Sequence, residues 1–289
     1  MPPRVLKWID LPRPNLRSGS RTPLVMVNGL AEQAESWFAN KRQLSRRFDV
    51  RTPEILTYDS DDLHHWIEAG NEVTVDYLAG RLAAFLEGAR VNAPYHLVAS
   101  SLGCQVALTY AVANPSKVGR MVLLCPSGFH GDENMPMIDG VRRSRYDSLV
   151  GSVFHKPRFA DDRLIAAYER KFQNRRWKKG VLKTLRGTVG HSVADLLPRV
   201  VNPTLVVWGA DDQVLSDVPG SILAAKRIPS VRQAVVADCG HAPQIEKSRI
   251  INQMIVRFLN DRLGPIPRPL DANRFLAARE AVPLLRSPS

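Results

Sequence analysis

Apolar residues along this chain fall into two alternating patterns. A continuous apolar run at 23–29, ending in a glycine turn, predicts a strand buried on both faces of a parallel sheet, and the shorter segments at 95–100, 119–125, 203–209 and 231–236 also read as strands. Between them stand longer segments whose apolar positions recur at helical spacing. The clearest is 73–88, with Val73, Tyr77, Leu78, Leu82, Phe85 and Leu86; segments 102–112, 220–227 and 246–263 also predict helices. Further strands are expected at 5–11 and at 48–56, the second interrupted by Pro53, which has no N–H to donate to a ladder. Strand and helix alternating over short connections imply an α/β fold, a mostly parallel sheet with helices on both faces.

The alternation stops after Cys125 and resumes at Pro203. Residues 127–197 are richer in charge and aromatic side chains, predict helices at 140–150, 162–172 and 177–187, and contain no strand pattern. They therefore read as a helical insertion into a core domain made of residues 1–126 and 198–263. Beyond it, the Gly-Pro-Ile-Pro-Arg-Pro sequence from Gly264 cannot continue a helix, and Asp271 is placed to cap a short one ending near Ala281. Residues 264–289 form a proline-rich C-terminal extension.

With 289 residues, 44% of them hydrophobic, the chain can bury one large α/β core. No apolar run is long enough to span a bilayer, and residues 1–15 never build the apolar centre of a secretory signal, so a soluble, cytoplasmic protein is expected. The three cysteines, Cys104, Cys125 and Cys239, lack metal-ligand spacing and read as reduced thiols; no metal or other cofactor is expected. The net charge of +12 is partly concentrated at 172–187, where Arg175, Arg176, Lys178, Lys179, Lys183 and Arg186 stand without an acidic residue. A solvated helix face accounts for such a run, and attraction of an anionic partner is the alternative. No nucleic-acid motif accompanies it, so no nucleic-acid partner is expected.

The candidate chemistry lies where the run at 95–100 breaks. Tyr95-His-Leu-Val-Ala-Ser-Ser-Leu-Gly-Cys104 puts Ser101 on a sharp turn from strand into helix, with the small residues Ala99 and Gly103 two positions to either side. A serine hydroxyl becomes a useful nucleophile only when a base takes its proton and a carboxylate orients that base. Asp211 and Asp212 follow the run at 203–209 directly, and His241 sits on a loop after the run at 231–236. All three loops leave the carboxyl edge of the sheet, where ligands of open α/β sheets bind. Alone, each residue reads as an ordinary turn or surface residue; the order Ser, Asp, His at one edge changes that.

This conjunction of motifs resembles the α/β-hydrolase fold superfamily, in its serine-nucleophile, cap-containing branch, over residues 24–263. The resemblance implies that Ser101 is the nucleophile, His241 the general base and then acid, and Asp212 the orienting acid, with Asp211 as competitor. It also implies an oxyanion hole made by the backbone N–H groups of Leu30 and Leu102. The sequence departs from the common pattern at Asn28, where relatives carry histidine, and at Ala99, where they carry glycine. Neither change removes a backbone donor, and Asn28 reads as a substrate or subfamily marker. Serine at 101 argues against the dehalogenases and epoxide hydrolases of this fold, which use aspartate there. Glu246 reads as a cap at a helix start.

By the same likeness, residues 127–197 are a helical cap, or lid, inserted after the sixth strand. Asn28, Phe129, Tyr146, Phe154 and Trp177 are the candidate substrate-pocket residues. Met135, Met137, Phe159, Tyr168 and Phe172 are available to the same pocket, although most such aromatics are expected to pack the cap's own core. The function implied is a serine hydrolase, cofactor-free, that cleaves an ester or related acyl bond of a small, fairly apolar molecule through an acyl-enzyme. The basic run points to an anionic group on that molecule. A C–C bond hydrolase, an acyltransferase and a cofactor-free oxygenase or perhydrolase share these residues; a non-catalytic binding protein is the alternative from another class.

Overall fold

Six segments pair into one sheet: β1 (Pro23–Val27), β2 (Asp49–Arg51), β3 (Tyr95–Ser100), β4 (Val118–Leu124), β5 (Thr204–Gly209) and β6 (Val231–Val236). The computed structural model describes residues 21–32, 34–131, 143 and 145–260, so the strand expected at 5–11 and the helix expected at 271–281 lie outside the described residues. The strand order is β2-β1-β3-β4-β5-β6, and every neighbouring pair is parallel.

The continuous apolar runs work as strands because successive side chains enter opposite layers. Val25, Val27, Leu97, Ala99, Met121, Leu123, Val206 and Trp208 face one buried cluster. Leu24, Met26, Val98, Val122, Leu124, Leu205 and Val207 face the other. The first layer is covered by α3 (Val75–Gly88), α4 (Leu102–Ala113) and α8 (Val218–Ala225), the second by α1 (Phe38–Leu44) and α10 (Ser248–Leu259).

From β1 the chain moves outward to β2, then returns to place β3 on the other side of β1. That reversal opens a crevice at the carboxyl ends of β1 and β3, the switch point where open α/β sheets bind ligands. Asn28–Glu32 and Ser101 leave the sheet there.

Several boundaries differ from the sequence expectation, each for a local reason. Only Asp49–Arg51 pairs within 48–56, in keeping with Pro53. An unexpected helix, α2 (Asp61–Glu68), follows, started by Ser60, whose side chain accepts from the Leu63 N–H, and by Asp61 and Asp62 in its first turn. The helix expected at 73–88 begins at Val75 because Thr74 caps it. The helix expected at 246–263 is two pieces, α9 (Pro243–Glu246) and α10, broken at Lys247.

Between β4 and β5 stand α5 (Tyr146–Val153), α6 (Asp162–Gln173) and α7 (Arg175–Thr188). They follow the fourth of the six described strands, where the resemblance places an insertion after a sixth. Helix α7 lies close on the loop and turn before α2 and α3. A Cβ at Gly180 would stand 2.1 Å from the Tyr58 carbonyl oxygen, and one at Gly187 2.5 Å from that of Val73. Two of its basic residues then meet α2, Arg176 with Asp61 and Lys179 with Glu68. Part of the basic run is therefore a set of exposed ion pairs between α7 and α2.

Candidate active site

Ser101 sits at the junction of β3 and α4 with φ 51° and ψ −123°. A non-glycine residue with positive φ is strained, and here the surroundings hold it. Its N–H donates to the Leu124 carbonyl, and its own carbonyl accepts from Cys104. The turn is tight because α4 begins against the end of β1. A Cβ at Gly103 would lie 2.6 Å from the Asn28 carbonyl oxygen, so only glycine fits there, and Ala99 is fully buried.

The structure brings Ser101, His241 and Asp212 together. His241 Nε2 lies 2.8 Å from Ser101 Oγ, and His241 Nδ1 lies 2.8 Å from Asp212 Oδ2. The other oxygen of Asp212 accepts from the Val214 and Leu215 N–H groups at 2.9 and 3.2 Å. The Asp212 side chain is fully buried, and that of His241 nearly so. A carboxylate accepting at Nδ1–H fixes the tautomer, leaving Nε2 to take a proton from Ser101. Asp211 turns the other way, accepting from the Cys239 N–H and standing 3.6 Å from His155.

The two expected oxyanion donors flank Ser101. Leu30 and Leu102 both line the cavity above the serine, and among the described residues neither N–H is taken by an acceptor. The 28–32 turn is tied down from several sides. Asn28 Nδ2 donates to the Glu32 carbonyl at 2.9 Å, the Gly29 N–H donates to Glu32 Oε2 at 2.9 Å, and the Ala31 N–H donates to Tyr58 Oη at 2.9 Å. Fixed donors of this kind stabilise charge without reorganising during reaction.

The serine opens into a cavity of about 480 Å³. Its walls are largely apolar and come from α5, α6, α7 and the His241 loop, with Leu149, Val153, Phe159, Leu164, Leu185 and Ile245 among them. Arg158, Asp161 and Lys171 also line it, as does Glu32. Of the residues expected to line a pocket, Phe154 does so, as do Phe159 and Tyr168. Four others do not.

Phe129 is buried edge-on against Trp208, and Trp177 edge-on against Tyr58 and Phe172. Tyr146 stacks on Phe172, and Asn28 is spent on the 28–32 turn and borders a separate small void below it. These aromatic rings are packed into the protein's own core, while Met135 and Met137 lie outside the described residues. Glu246 closes α9, where a helix start was expected, and its carboxylate accepts from the Gly240 and Lys156 N–H groups.

Glu32 was not legible as a site residue in the sequence; the signal available was an acidic residue within the apolar loop after β1. Burial pushes its carboxyl up from the ordinary carboxylate range, offset in part by the Gly29 N–H bond and by attraction to His241. The Cys125 thiol is also pushed well up by burial, and by the negative charge of Asp212 beside it. Cys125, Asp212 and His241 place possible metal-ligand atoms within 4.8 Å of one another. However, Asp212 already bonds to His241 and to two backbone N–H groups, which leaves its oxygens occupied.

A family model described as the alpha/beta hydrolase family matches residues 24–252. The chain belongs to that family. Human monoacylglycerol lipase ABHD6 is 23% identical over 263 residues, covering 84% of this chain and 77% of the human protein. A 2-hydroxy-6-oxononadienedioate/2-hydroxy-6-oxononatrienedioate hydrolase of Paraburkholderia xenovorans is 27% identical over 255 residues, covering 82% and 86%. Among solved structures, the meta-cleavage product hydrolase CumD of Pseudomonas fluorescens superposes with a TM-score of 0.69 at 18% identity, covering 85% of this chain and 93% of that one. The chain is thus an enzyme of the α/β-hydrolase class. Among the described residues, no helix is long and apolar enough to cross a membrane.

Proposed function

We propose that this enzyme is a serine hydrolase that cleaves an ester or related acyl bond of a small, largely apolar molecule. The observation that carries this reading is the hydrogen-bonded chain from Ser101 through His241 to Asp212, opening on an apolar cavity. Ser101 Oγ bonds to the acyl carbon as its proton passes to His241 Nε2. The Leu30 and Leu102 N–H groups meet the oxyanion, and Asp212 stabilises the imidazolium. Collapse of the tetrahedral intermediate breaks the bond to the leaving alcohol, which takes the proton from His241. Water, deprotonated by His241, then attacks the acyl-enzyme, and Ser101 leaves with the proton.

Helices α5 to α7 serve as the cap of this site and shape the acyl pocket. No cofactor enters the scheme. Arg158 and Lys171 line the cavity together with Glu32 and Asp161, and the largely apolar remainder suits a neutral molecule. The lipase name of the ABHD6 relative supports an ester as the bond attacked.

Labelling with a fluorophosphonate probe tests the reading. Wild-type protein should form a covalent adduct on Ser101, and Ser101→Ala should form none. An unlabelled wild type, or equal labelling of the variant, would remove Ser101 as nucleophile.

A further inference from the structure

Glu32 is an acidic residue in the cavity wall close to the nucleophile. A Cβ built on Gly29 would lie 3.0 Å from Ser101 Cβ and 3.5 Å from the Glu32 carboxyl carbon, so the serine and this carboxyl flank one point of the 28–32 turn. One carboxyl oxygen, Oε2, accepts from the Gly29 N–H, and the side chain lines the cavity. Among the described residues no lysine or arginine pairs with it. The groups acting on it from the elements packed around it are His241 on the loop after β6, Tyr58 before α2, Tyr168 on α6 and Cys104 on α4.

A half-satisfied carboxyl in an apolar wall is costly unless something bonds to it. Closing the 28–32 turn does not require an acid, since an amide would accept from Gly29 equally well. The side chain with this remaining capacity lines the cavity where substrate sits. A cationic substrate group would satisfy a carboxylate, but burying its charge in a largely apolar cavity, where Arg158 and Lys171 are offset by Asp161, costs it hydration. A neutral hydroxyl meets no such barrier. It also pairs with the carboxyl in either protonation state, donating to the carboxylate or accepting from the acid.

We propose that Glu32 is a specificity-determining residue that hydrogen-bonds a free hydroxyl carried by the substrate close to the scissile carbonyl, so that the preferred substrates are hydroxylated esters. This rests on the serine-hydrolase reading above and deepens it. A site built to hydrogen-bond a substrate hydroxyl rejects the analogue lacking it, because the buried polar group is left unpaired.

The test measures kcat/KM on matched esters of one chain length. One set compares 2-hydroxyacyl, acyl and 2-aminoacyl esters, and a second compares 2-hydroxyethyl, propyl and 2-aminoethyl esters of one acid. Wild-type enzyme should favour the hydroxylated member of at least one set by about tenfold or more. In Glu32→Met the ratio of hydroxylated to deoxy ester should collapse towards one. Glu32→Gln, which keeps an acceptor for Gly29, should recover part of it.

No hydroxyl preference in either set overturns the proposal, and so does a preference for the amino esters or an unchanged ratio in Glu32→Met. The wild-type comparison decides even if Glu32→Met does not fold. A Ser101 that labels with fluorophosphonate while showing no hydroxyl preference defeats only this inference. Absence of labelling defeats the hydrolase reading and takes this one with it.

Discussion

The backbone N–H of His241 donates to the carbonyl oxygen of Val153, the last residue of α5, at 2.8 Å. The proposed catalytic base is thus held directly by the helices between β4 and β5. The contact is close throughout, since a Cβ on Gly240 would lie 2.6 Å from that same oxygen and 2.7 Å from the His155 N–H. Glu246 completes the attachment, accepting from Gly240 on one side and Lys156 on the other. Position of the helices and position of the base are one structural variable.

Glu246→Ala should therefore lower both stability and turnover. It strands one buried backbone donor, Gly240 N–H, at about 1–3 kcal/mol if no water replaces the carboxylate, and a part-buried one, Lys156 N–H, at less. Glu246→Gln keeps an acceptor and should lose less. Thermal unfolding and kcat, measured on both variants, check this. A Glu246→Ala variant with wild-type Tm and kcat would mean that Val153 alone holds the loop.

Asp212→Asn should reduce kcat by about 10⁴-fold while leaving the fold intact, because an amide in place of the carboxylate favours the wrong imidazole tautomer. Asp211→Asn should cost at most a few-fold, since its carboxylate bonds to Cys239 and faces His155. Steady-state kinetics on the pair separates the two. Equal loss in both variants would contradict the assignment.

The sequence made Ser101 legible because its signal is local: a buried strand, a helix and the small residues Ala99 and Gly103 stand within ten positions. Choosing between Asp211 and Asp212 needed more than pattern. Adjacent residues on one loop point in opposite directions, and the Val214 and Leu215 N–H groups that aim Asp212 belong to a turn without a marked signature. Trp177 illustrates a different limit. Aromatic content does not say which face of α7 meets the cavity, whereas Gly180 and Gly187 do, because their close approach to Tyr58 and Val73 turns Trp177 into the core. Glu32 offers only its acidic character in the loop after β1 as a local signal, since its environment is assembled from Tyr58, Tyr168 and His241 on three other segments.

His96 predicts an acid limit to stability. It is buried in β3, its Nδ1 accepts from the Arg120 N–H, and burial together with the Arg120 charge lowers its pKa to about 4 from 6.5. The unfolded chain therefore binds this proton more tightly than the folded one. The stabilisation from keeping the ring neutral is whole above pH 6.5 and is lost as pH falls from 6.5 towards 4. The full effect is about 3 kcal/mol. His96→Gln should flatten the dependence of Tm on pH across this window. An unchanged slope would place the acid sensitivity elsewhere.

Gly151 and Gly180, both inside helices, should respond to alanine with opposite signs. A Cβ at Gly151 on α5 meets nothing within 4 Å, so the substitution only removes glycine's backbone entropy and should stabilise by about 0.5–1 kcal/mol. A Cβ at Gly180 on α7 would fall 2.1 Å from the Tyr58 carbonyl oxygen, and backbone cannot give way as a flexible side chain would. The same propensity gain there is outweighed by overpacking of about 1–3 kcal/mol. The cost also reaches function, since Leu185 and Thr188 further along α7 line the cavity. Calorimetry should show a Tm raised by about 2 °C for Gly151→Ala and lowered for Gly180→Ala, with turnover reduced only in the second. If Gly180→Ala is as stable and active as wild type, α7 does not bear on the Tyr58 backbone, and the glycines cannot be what turns Trp177 away from the cavity.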